Sequence, residues 1–237
     1  MSKRWRPFSH TVLQRPILEP PHPMVKPTPS DAILTQMRVI AGLYRGRRLI
    51  TPEGGRTRPI LDRVKVGVFD WLGSRLALPG TLPPLQVLDI YCGAGSLGIE
   101  ALSRGAAGCV FVDTDRPALA CLKRNIEALG IGREARVLAF PAESLQLKPP
   151  AGGGFGLIFL DPPYVLNENL SPGSVLFRLL DRLGGFIAAA PGALLVWRHP
   201  DSCEIPDALT DGWVSSERRT WHRMAVTLFE YRPQESP

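Results

Sequence analysis

From residue 85 onwards, short runs of apolar residues alternate with longer segments in which apolar residues recur every three or four positions. A short continuous apolar run is typical of a strand buried on both faces, and the longer spacing is typical of an amphipathic helix. We predict strands at 85–90, 108–113, 136–140, 155–161 and 193–198, and helices at 96–104, 116–129 and 174–183. This alternation of strand and helix predicts an α/β fold built around a parallel sheet.

Both ends of the chain depart from this alternation. At the N-terminal end we predict a β-hairpin from residues 38–41 and 47–50 around a turn at 44–46, followed by a helix from Asp62 to Leu76 that Asp62 caps. At the C-terminal end we predict a second hairpin from residues 213–218 and 221–231 around the polar run 216–220. The last strands of the chain are therefore expected to be antiparallel.

The first 36 residues are rich in proline and poor in apolar residues. Prolines occur there at positions 7, 16, 20, 21, 23, 27 and 29. This composition predicts an extended, mostly disordered segment, and we expect no secretory signal because the apolar core of one is missing. We therefore predict three regions: a basic, proline-rich tail at 1–36, a basic hairpin and helix at 37–78, and the main α/β domain at 79–237.

The positive charge of the chain is concentrated before the predicted main domain. The 237 residues carry a net charge of +6. Residues 37–78 hold nine Lys or Arg and three Asp or Glu, whereas residues 79–237 hold 14 and 17. Such a basic block is typical of contact with a phosphate backbone, although a solvated, charged hairpin would have the same composition.

The remaining composition argues against a metal centre and against a membrane span. The four cysteines and four histidines lack the spacing of metal ligands, so we expect no bound metal. We expect the cysteines to be reduced thiols. No stretch of about 18 apolar residues occurs, so we expect a soluble, cytoplasmic protein.

A glycine-rich turn follows the first predicted strand of the main domain. Gly93 and Gly95 let the backbone approach a ligand closely at the start of a helix, whose N-terminus carries partial positive charge, and residues 93–98 also fit the pattern G-x-G-x-x-G. Asp113, at the end of the second predicted strand, is placed to accept hydrogen bonds from ribose hydroxyls, which fits a dinucleotide as well as a nucleoside. Asp89, at the junction of strand and loop, suits a cationic methionyl group better than a pyrophosphate. These residues therefore favour S-adenosylmethionine over NAD.

Asp161-Pro162-Pro163-Tyr164, the DPPY tetrapeptide, directly follows the apolar run 155–160. Because prolines have no N–H donor, the turn presents the Asp161 carboxylate and carbonyl oxygens as hydrogen-bond acceptors. Tyr164 adds a flat face on which a planar base could stack. A proline-rich turn that only closes a strand is the alternative. Beside an S-adenosylmethionine site, the tetrapeptide predicts a site for an exocyclic amine.

The loop Asp89-x-Tyr91-x-Gly93-x-Gly95, Asp113 and the DPPY tetrapeptide resemble motifs of class I methyltransferases that modify exocyclic amines. A second set of residues narrows the resemblance to the RsmD family, the bacterial small-subunit rRNA guanine-N2 methyltransferases. This set comprises Arg38 to Gly42, Arg45 to Arg47, Arg58-Pro59, Asp62 to Val64, Phe69 and Leu72. The resemblance runs from about Met37 to Tyr231.

The resemblance implies a Rossmann-like mixed sheet of seven strands in the order 3-2-1-4-5-7-6, with the basic hairpin and helix as an N-terminal appendage. It also implies S-adenosylmethionine as cofactor, 16S rRNA in the small ribosomal subunit or its assembly intermediate as partner, and a monomer. The implied catalytic residues are Asp161, Pro162, Pro163 and Tyr164. The implied cofactor-binding residues are Asp89, Tyr91, Cys92, Gly93, Ala94, Gly95, Asp113, Thr114 and Glu143. The implied RNA-binding residues are Arg38, Arg45, Arg47, Arg48, Arg58 and Arg63.

In the implied mechanism, Asp161 and the Pro162 carbonyl orient the amine for direct in-line transfer, while Tyr164 stacks on a base that has left its helix.

The sequence departs from the family pattern at several positions. Ile60, Lys65 and Val66 replace Thr, Arg and Glu, and Pro141 stands where relatives often carry an acid or amide for the adenine amine, so that Glu143 is the nearest acid.

Several other functions remain compatible with the sequence. An amine methyltransferase acting on DNA adenine or on a protein glutamine would use the same tetrapeptide. An NAD oxidoreductase would explain the glycine-rich turn, and a non-catalytic RNA-binding or ribosome-assembly protein could retain a methylase fold.

Overall fold

The computed structural model describes residues 37–53, 60–76, 79–147, 150, 153–185, 189–209 and 212–232. The predicted tail at 1–36 and the predicted RNA-binding residue Arg58 lie outside these ranges. Within the ranges, no helix is long and apolar enough to cross a bilayer. The same residues contain no group of three or more His, Cys, Asp or Glu side chains that could hold a metal ion.

Seven strands of the described chain form one mixed sheet in the order β3-β2-β1-β4-β5-β7-β6. They are β1 (Gln86–Ile90), β2 (Gly108–Asp113), β3 (Ala135–Ala139), β4 (Phe155–Leu160), β5 (Ala189–Pro200), β6 (Trp213–Trp221) and β7 (Met224–Tyr231). Strands β1 to β5 pair in parallel, and β7 is antiparallel to both β5 and β6. The predicted fold class and strand order are confirmed.

One helix precedes the first strand, and the other helices lie between parallel strands. The helices are α1 (Asp62–Arg75), α2 (Ser96–Ser103), α3 (Arg116–Leu129), α4 (Tyr164–Asn167) and α5 (Val175–Gly185), with a 3₁₀ turn at Ala142–Ser144. The ends of α3 show why the sequence begins and stops a helix there. The Asp115 carboxylate accepts a hydrogen bond from the Ala118 N–H at 3.1 Å, and Gly130 ends the helix with a φ of +68°.

The sheet is buried on both faces because alternate strand residues enter two different cores. Val87 and Phe159 pack with α1, α2 and α3 on one face. Leu88 and Ile158 pack with the leucines of α5 on the other. Strands with apolar residues at every position are therefore stable only inside this layered arrangement, as their continuous apolar runs predict.

The N-terminal segment, residues 37–53, packs against the first of these cores through Val39 and Leu49. The hairpin predicted there is reduced to a single antiparallel bridge between Arg38 and Arg48. The reason is that neighbouring backbone N–H groups bond to buried side chains of the sheet domain instead of to a second strand. The N–H groups of residues 40 and 41 donate to the Glu100 carboxylate at 2.7 and 3.0 Å, and that of residue 50 donates to Asn125 Oδ1 at 2.7 Å.

The predicted cap of α1 was wrong. Leu61 occupies the cap position without a side-chain hydrogen bond, and Asp62 is the first helical residue. The Asp62 carboxylate instead pairs with Arg38, whose Nε lies 2.8 Å from Oδ2. An acid in the first helical turn still stabilises α1 through the helix dipole.

The predicted turn of the C-terminal hairpin was also misplaced. Residues 216–220 lie within β6, and the chain turns at His222, which has a φ of +60°. A polar run is tolerated in β6 because this strand forms the edge of the sheet. Strand β5 spans Ala189–Pro200 and is therefore longer at both ends than the predicted strand at 193–198.

Candidate active site

Three acidic residues that the sequence singled out lie at one edge of the sheet. Asp89 belongs to β1, Asp113 ends β2, and Asp161 directly follows β4. Ile90 of β1 pairs with the last part of both β2 and β4, and its carbonyl accepts a hydrogen bond from the Asp161 N–H at 3.2 Å. Because parallel strands end together at their carboxyl ends, their loops form one crevice there.

The glycine loop, residues 91–95, forms one wall of this crevice. Asp113 holds it in place, since Oδ2 accepts the Gly93 N–H at 2.7 Å. Oδ1 of Asp113 accepts the N–H groups of Thr114 and Asp115 at 2.7 and 2.9 Å, which fixes the carboxylate. Gly95 begins α2 with a φ of +87°, and a Cβ at this position would collide with Leu122. The loop conformation therefore requires glycine at position 95.

Asp89 is engaged with the protein interior. Its side chain is buried, and Oδ2 accepts the Gly98 N–H of α2 at 2.9 Å. A Cβ on Gly98 would collide with Phe111 and Cys109, so α2 lies closely against the sheet here. Burial raises the pKa of Asp89 to about 8, with smaller contributions from Asp161 and Asp113, while the Gly98 hydrogen bond opposes the shift. Its predicted contact with a methionyl group stays a prediction.

Tyr91 carries a hydroxyl with no hydrogen-bond partner among the described residues, although the oxygen is buried. Burial raises the pKa of Tyr91 to about 12, and the nearby Glu143 and Asp113 carboxylates add to this shift. A buried hydroxyl without a partner costs about 1–3 kcal/mol. A ligand atom that bonded to this hydroxyl would recover that free energy.

The other predicted cofactor residues line the same edge to different extents. Cys92 and Ala94 are buried in the glycine loop, Thr114 is exposed after β2, and Glu143 is half-buried in the 3₁₀ turn after β3. Phe140, which the sequence did not single out, is 45% exposed, and its N–H donates to the Asp113 carbonyl at 3.1 Å. Its position directly after a strand at this edge was the signal that could have identified it.

The DPPY tetrapeptide forms the opposite wall of the crevice and leads into the short helix α4. The Asp161 side chain is 17% exposed, and its Oδ1 lies 2.5 Å from Nε of Arg198. Burial raises the pKa of Asp161, and the Arg198 guanidinium opposes this shift. Tyr164 is 40% exposed, so its ring is available for stacking.

Hydrogen bonds from residues of α4 and β5 fix the backbone of the tetrapeptide. The Pro163 carbonyl accepts hydrogen bonds from the Leu166 N–H at 2.9 Å and from Asn167 Nδ2 at 3.3 Å. Asn167 Oδ1 in turn accepts the indole N–H of the fully buried Trp197 at 3.0 Å. No donor in the described part of the chain bonds to the Pro162 carbonyl, which therefore stays available as an acceptor.

The predicted RNA-binding arginines that the structure describes are all exposed: Arg38, Arg45, Arg47, Arg48 and Arg63. Two of them also contact the protein. Arg38 pairs with Asp62, and Arg47 Nη2 donates to the Ala128 carbonyl at 3.1 Å, at the C-terminal end of α3. The exposed guanidinium groups place positive charge along the N-terminal segment and α1.

Lys65, which had been counted with this basic charge, is buried instead. Its Nζ donates to the Arg38 carbonyl at 2.5 Å and to Ser96 Oγ at 3.2 Å, and it lies 3.6 Å from Glu100 Oε2. Burial lowers the pKa of Lys65, and Glu100 opposes the shift. Lys65 therefore joins the N-terminal segment to the first residue of α2 and adds nothing to the surface charge.

Asn125 of α3 makes a second connection of this kind. Its amide bonds to the backbone of Ile50 on one side and to the Ala94 carbonyl of the glycine loop, at 3.1 Å, on the other.

Two of the departures from the family pattern are accommodated by their immediate surroundings. Ile60 is buried in the core below α1, and Pro141 precedes the 3₁₀ turn in an extended conformation.

Comparisons with known proteins match this geometry. Residues 37–230 match the family model described as "Conserved hypothetical protein 95". The chain is 33% identical over 197 residues to "Putative rRNA methyltransferase YlbH" of Bacillus subtilis, covering 83% of this chain and 100% of that protein. It is 37% identical over 141 residues to "Ribosomal RNA small subunit methyltransferase D" of Escherichia coli, covering 60% of this chain and 66% of that one.

A solved structure, "Putative methyltransferase yhhF" from Escherichia coli, superimposes with a TM-score of 0.68 at 30% identity and covers 84% of this chain and 99% of that one. The family match spans most of the chain, from the N-terminal segment to the last strand. The chain therefore belongs to the family described as "Conserved hypothetical protein 95", the RsmD family of class I methyltransferases.

Proposed function

We propose that this protein transfers the methyl group of S-adenosylmethionine to the exocyclic N2 amine of a guanine in 16S rRNA. The observation that carries the proposal is the juxtaposition of the glycine loop and Asp113 with the DPPY tetrapeptide at one edge of the sheet. A relative named as a ribosomal RNA small subunit methyltransferase supports the choice of RNA substrate.

The residues of the glycine loop fit a nucleoside cofactor. A Cβ built on Gly93 would meet no atom within 4 Å, so the loop borders open space there, and the unpartnered Tyr91 hydroxyl lies nearby in the same loop. Asp113 would hold the ribose, Tyr91 and Glu143 would contact the remaining polar groups, and Phe140 offers an exposed ring beside Asp113. Bound S-adenosylmethionine would supply an electrophilic methyl group attached to a sulfonium.

The DPPY tetrapeptide suits an exocyclic amine. Such a nitrogen shares its lone pair with the aromatic ring and is a weak nucleophile. Acceptors for both of its hydrogens favour a pyramidal nitrogen whose lone pair is directed at the methyl group. Oδ2 of Asp161 and the Pro162 carbonyl are the two acceptors, and Tyr164 holds the base by stacking.

The N-terminal segment and α1 would bind the RNA backbone. Arg45, Arg48 and Arg63 are exposed, and their charges are of the kind that gives affinity for phosphates regardless of sequence. We propose that residues 37–78 form the RNA-contacting region and residues 79–237 the catalytic domain, and that the protein acts in the cytoplasm as a monomer.

The test is incubation of the purified protein with labelled S-adenosylmethionine and small ribosomal subunits from a strain that lacks the gene. Nucleoside analysis of the recovered 16S rRNA should show label in N2-methylguanine. DNA and protein are offered in parallel as alternative substrates. Label in an adenine of the DNA or in a glutamine of the protein would refute the assignment to rRNA and identify the actual substrate. Tight RNA binding without any transfer would identify a non-catalytic assembly factor and refute the proposal.

A further inference from the structure

Arg198 occupies a position that the proposed reaction leaves unexplained. It lies near the end of β5, which pairs in parallel with β4 so that Trp197 is opposite Leu160. One residue further along both strands, Arg198 stands beside Asp161, and Nε approaches Oδ1 to 2.5 Å. Its side chain is only 12% exposed, and Nη1 lies 3.7 Å from the sulfur of Met224 on β7. The guanidinium is thus held on two sides.

We propose that Arg198 is a positioning residue of the transfer site, which holds Asp161 through Oδ1 and directs Oδ2 towards the amine of the substrate. This inference rests on the proposed function, because it assigns Arg198 a task in amine transfer. The Nε bond restrains the rotation of the carboxylate through Oδ1, and Oδ2 is the oxygen that no donor of the described residues engages. A carboxylate free to rotate would spend part of its time in unproductive orientations.

The charges around Asp161 give the guanidinium a second effect. Asp89 on β1 and Asp113 on β2 are acids facing the same edge, and the Tyr164 side chain follows Asp161 in the tetrapeptide. Burial and Asp113 both raise the pKa of Asp161, and Arg198 is the group that opposes them. Arg198 therefore favours the ionised carboxylate, which accepts hydrogens, over the protonated acid, one of whose oxygens donates.

The neighbouring residue of β5 supports the same picture independently. Trp197 holds Asn167, and Asn167 holds the Pro163 carbonyl. Two consecutive residues of β5 therefore control the tetrapeptide at two points, its carboxylate and its backbone.

The experiment compares Arg198→Met, which removes the hydrogen bond and the charge, with Arg198→Lys, which keeps the charge. The matched control is Arg232→Met, because Arg232 forms an exposed ion pair with Glu230 at 2.9 Å, outside the site. Single-turnover methyl transfer to small subunits is measured across the neutral pH range. Calorimetry with S-adenosylhomocysteine and thermal melts report cofactor affinity and folding for each variant.

The Met variant should transfer methyl groups about 10- to 100-fold more slowly than wild type, because the acceptor is misoriented. Its cofactor affinity should not change. The acid limb of its pH profile should move to higher pH, since the pKa of Asp161 rises when the opposing charge is removed. The Lys variant should keep the acid limb near that of wild type and recover only part of the rate.

If the wild type is active and Arg198→Met has the same rate and the same pH profile, the role of Arg198 is refuted and the proposed function stands. The same holds if Arg198→Met slows transfer as much in an Asp161→Asn background as in wild type, because the effect would then not pass through Asp161. If the Met variant does not fold, the Lys variant decides: a wild-type rate overturns the inference, and a slower rate with unchanged cofactor affinity supports it. A wild-type protein that methylates no acceptor refutes the proposed function and the role of Arg198 together.

Discussion

Replacing Glu100 by Ala tests how strongly the N-terminal segment is attached to the sheet domain. The Glu100 carboxylate is fully buried and accepts hydrogen bonds from the N–H groups of residues 40 and 41, at 2.7 and 3.0 Å, and from Arg104 Nε at 2.9 Å. Lys65 Nζ lies 3.6 Å away. The Ala variant would leave two buried cations and two backbone donors without their acceptor.

Removing one partner of a buried ion pair costs about 3–5 kcal/mol. For a chain of this size that corresponds to a melting temperature about 6–20 °C lower. The free energy of unfolding is measured in urea. Glu230→Ala removes an exposed ion pair and serves as the control, with an expected loss below about 1 kcal/mol.

The stability deficit of the Glu100 variant should depend on pH through Lys65. The pKa of Lys65 is lowered by burial from its usual value of 10.5, and without Glu100 it falls further. The unfolded chain then binds more protons than the folded chain between these two pKa values, so the stability of the variant rises with pH there. The wild type gains stability in the same way above its own lowered Lys65 pKa, so the deficit should shrink between the Lys65 pKa of the variant and that of the wild type, both below 10.5, and stay constant above that range. A loss no larger than that of Glu230→Ala, or a deficit that grows with pH, would refute this account of the network.

Three further outcomes are expected. Asp161→Ala should abolish transfer and leave the affinity for S-adenosylhomocysteine unchanged in calorimetry, and a collapse of that affinity would contradict its assignment to the amine. Asp89→Asn should gain stability relative to wild type as pH rises from about 4 to about 8. Burial raises the pKa of Asp89 to about 8, so over this range the unfolded wild type releases the Asp89 proton while the folded wild type keeps it, and the wild type loses stability. Urea titrations at several pH values measure this, and a constant difference would exclude the shift. Replacing Arg45 and Arg48 by Gln should weaken RNA binding irrespective of sequence and reduce the slope of log K against log salt by about 2. Filter binding at several salt concentrations measures the slope, and an unchanged slope would show that these arginines contact no phosphate.

The parts of the fold that were predictable are those in which local pattern and burial agree. The apolar runs of β1, β2 and β4 place Asp89, Asp113 and Asp161 at strand ends, and parallel strands bring such ends together. The order of the strands came from the resemblance to a family, because nothing in an apolar run specifies its neighbour in the sheet.

The errors have a common physical origin, which is that the deciding partner is remote in sequence. Arg198 lies 37 residues from Asp161, and only the pairing of β4 with β5 makes them neighbours. Lys65 was counted as surface charge because its partner Glu100 belongs to another helix. The polar run in β6 was taken for a turn because the edge position of that strand cannot be seen locally.

The attachment of the N-terminal segment limits how this protein can be dissected or recombined. Lys65 bonds to the N-terminal segment and to the start of α2. Asn125 bonds to the N-terminal segment and to the glycine loop. Val39 and Leu49 of the N-terminal segment are part of the hydrophobic core. A chain cut before residue 79 would lose Lys65 and would leave the buried Glu100 and Asn125 side chains facing water. The proposed RNA-contacting region and the proposed catalytic domain are thus coupled in folding, so a chain that lacks the N-terminal segment must be tested for stability before a loss of its activity is assigned to lost RNA contacts.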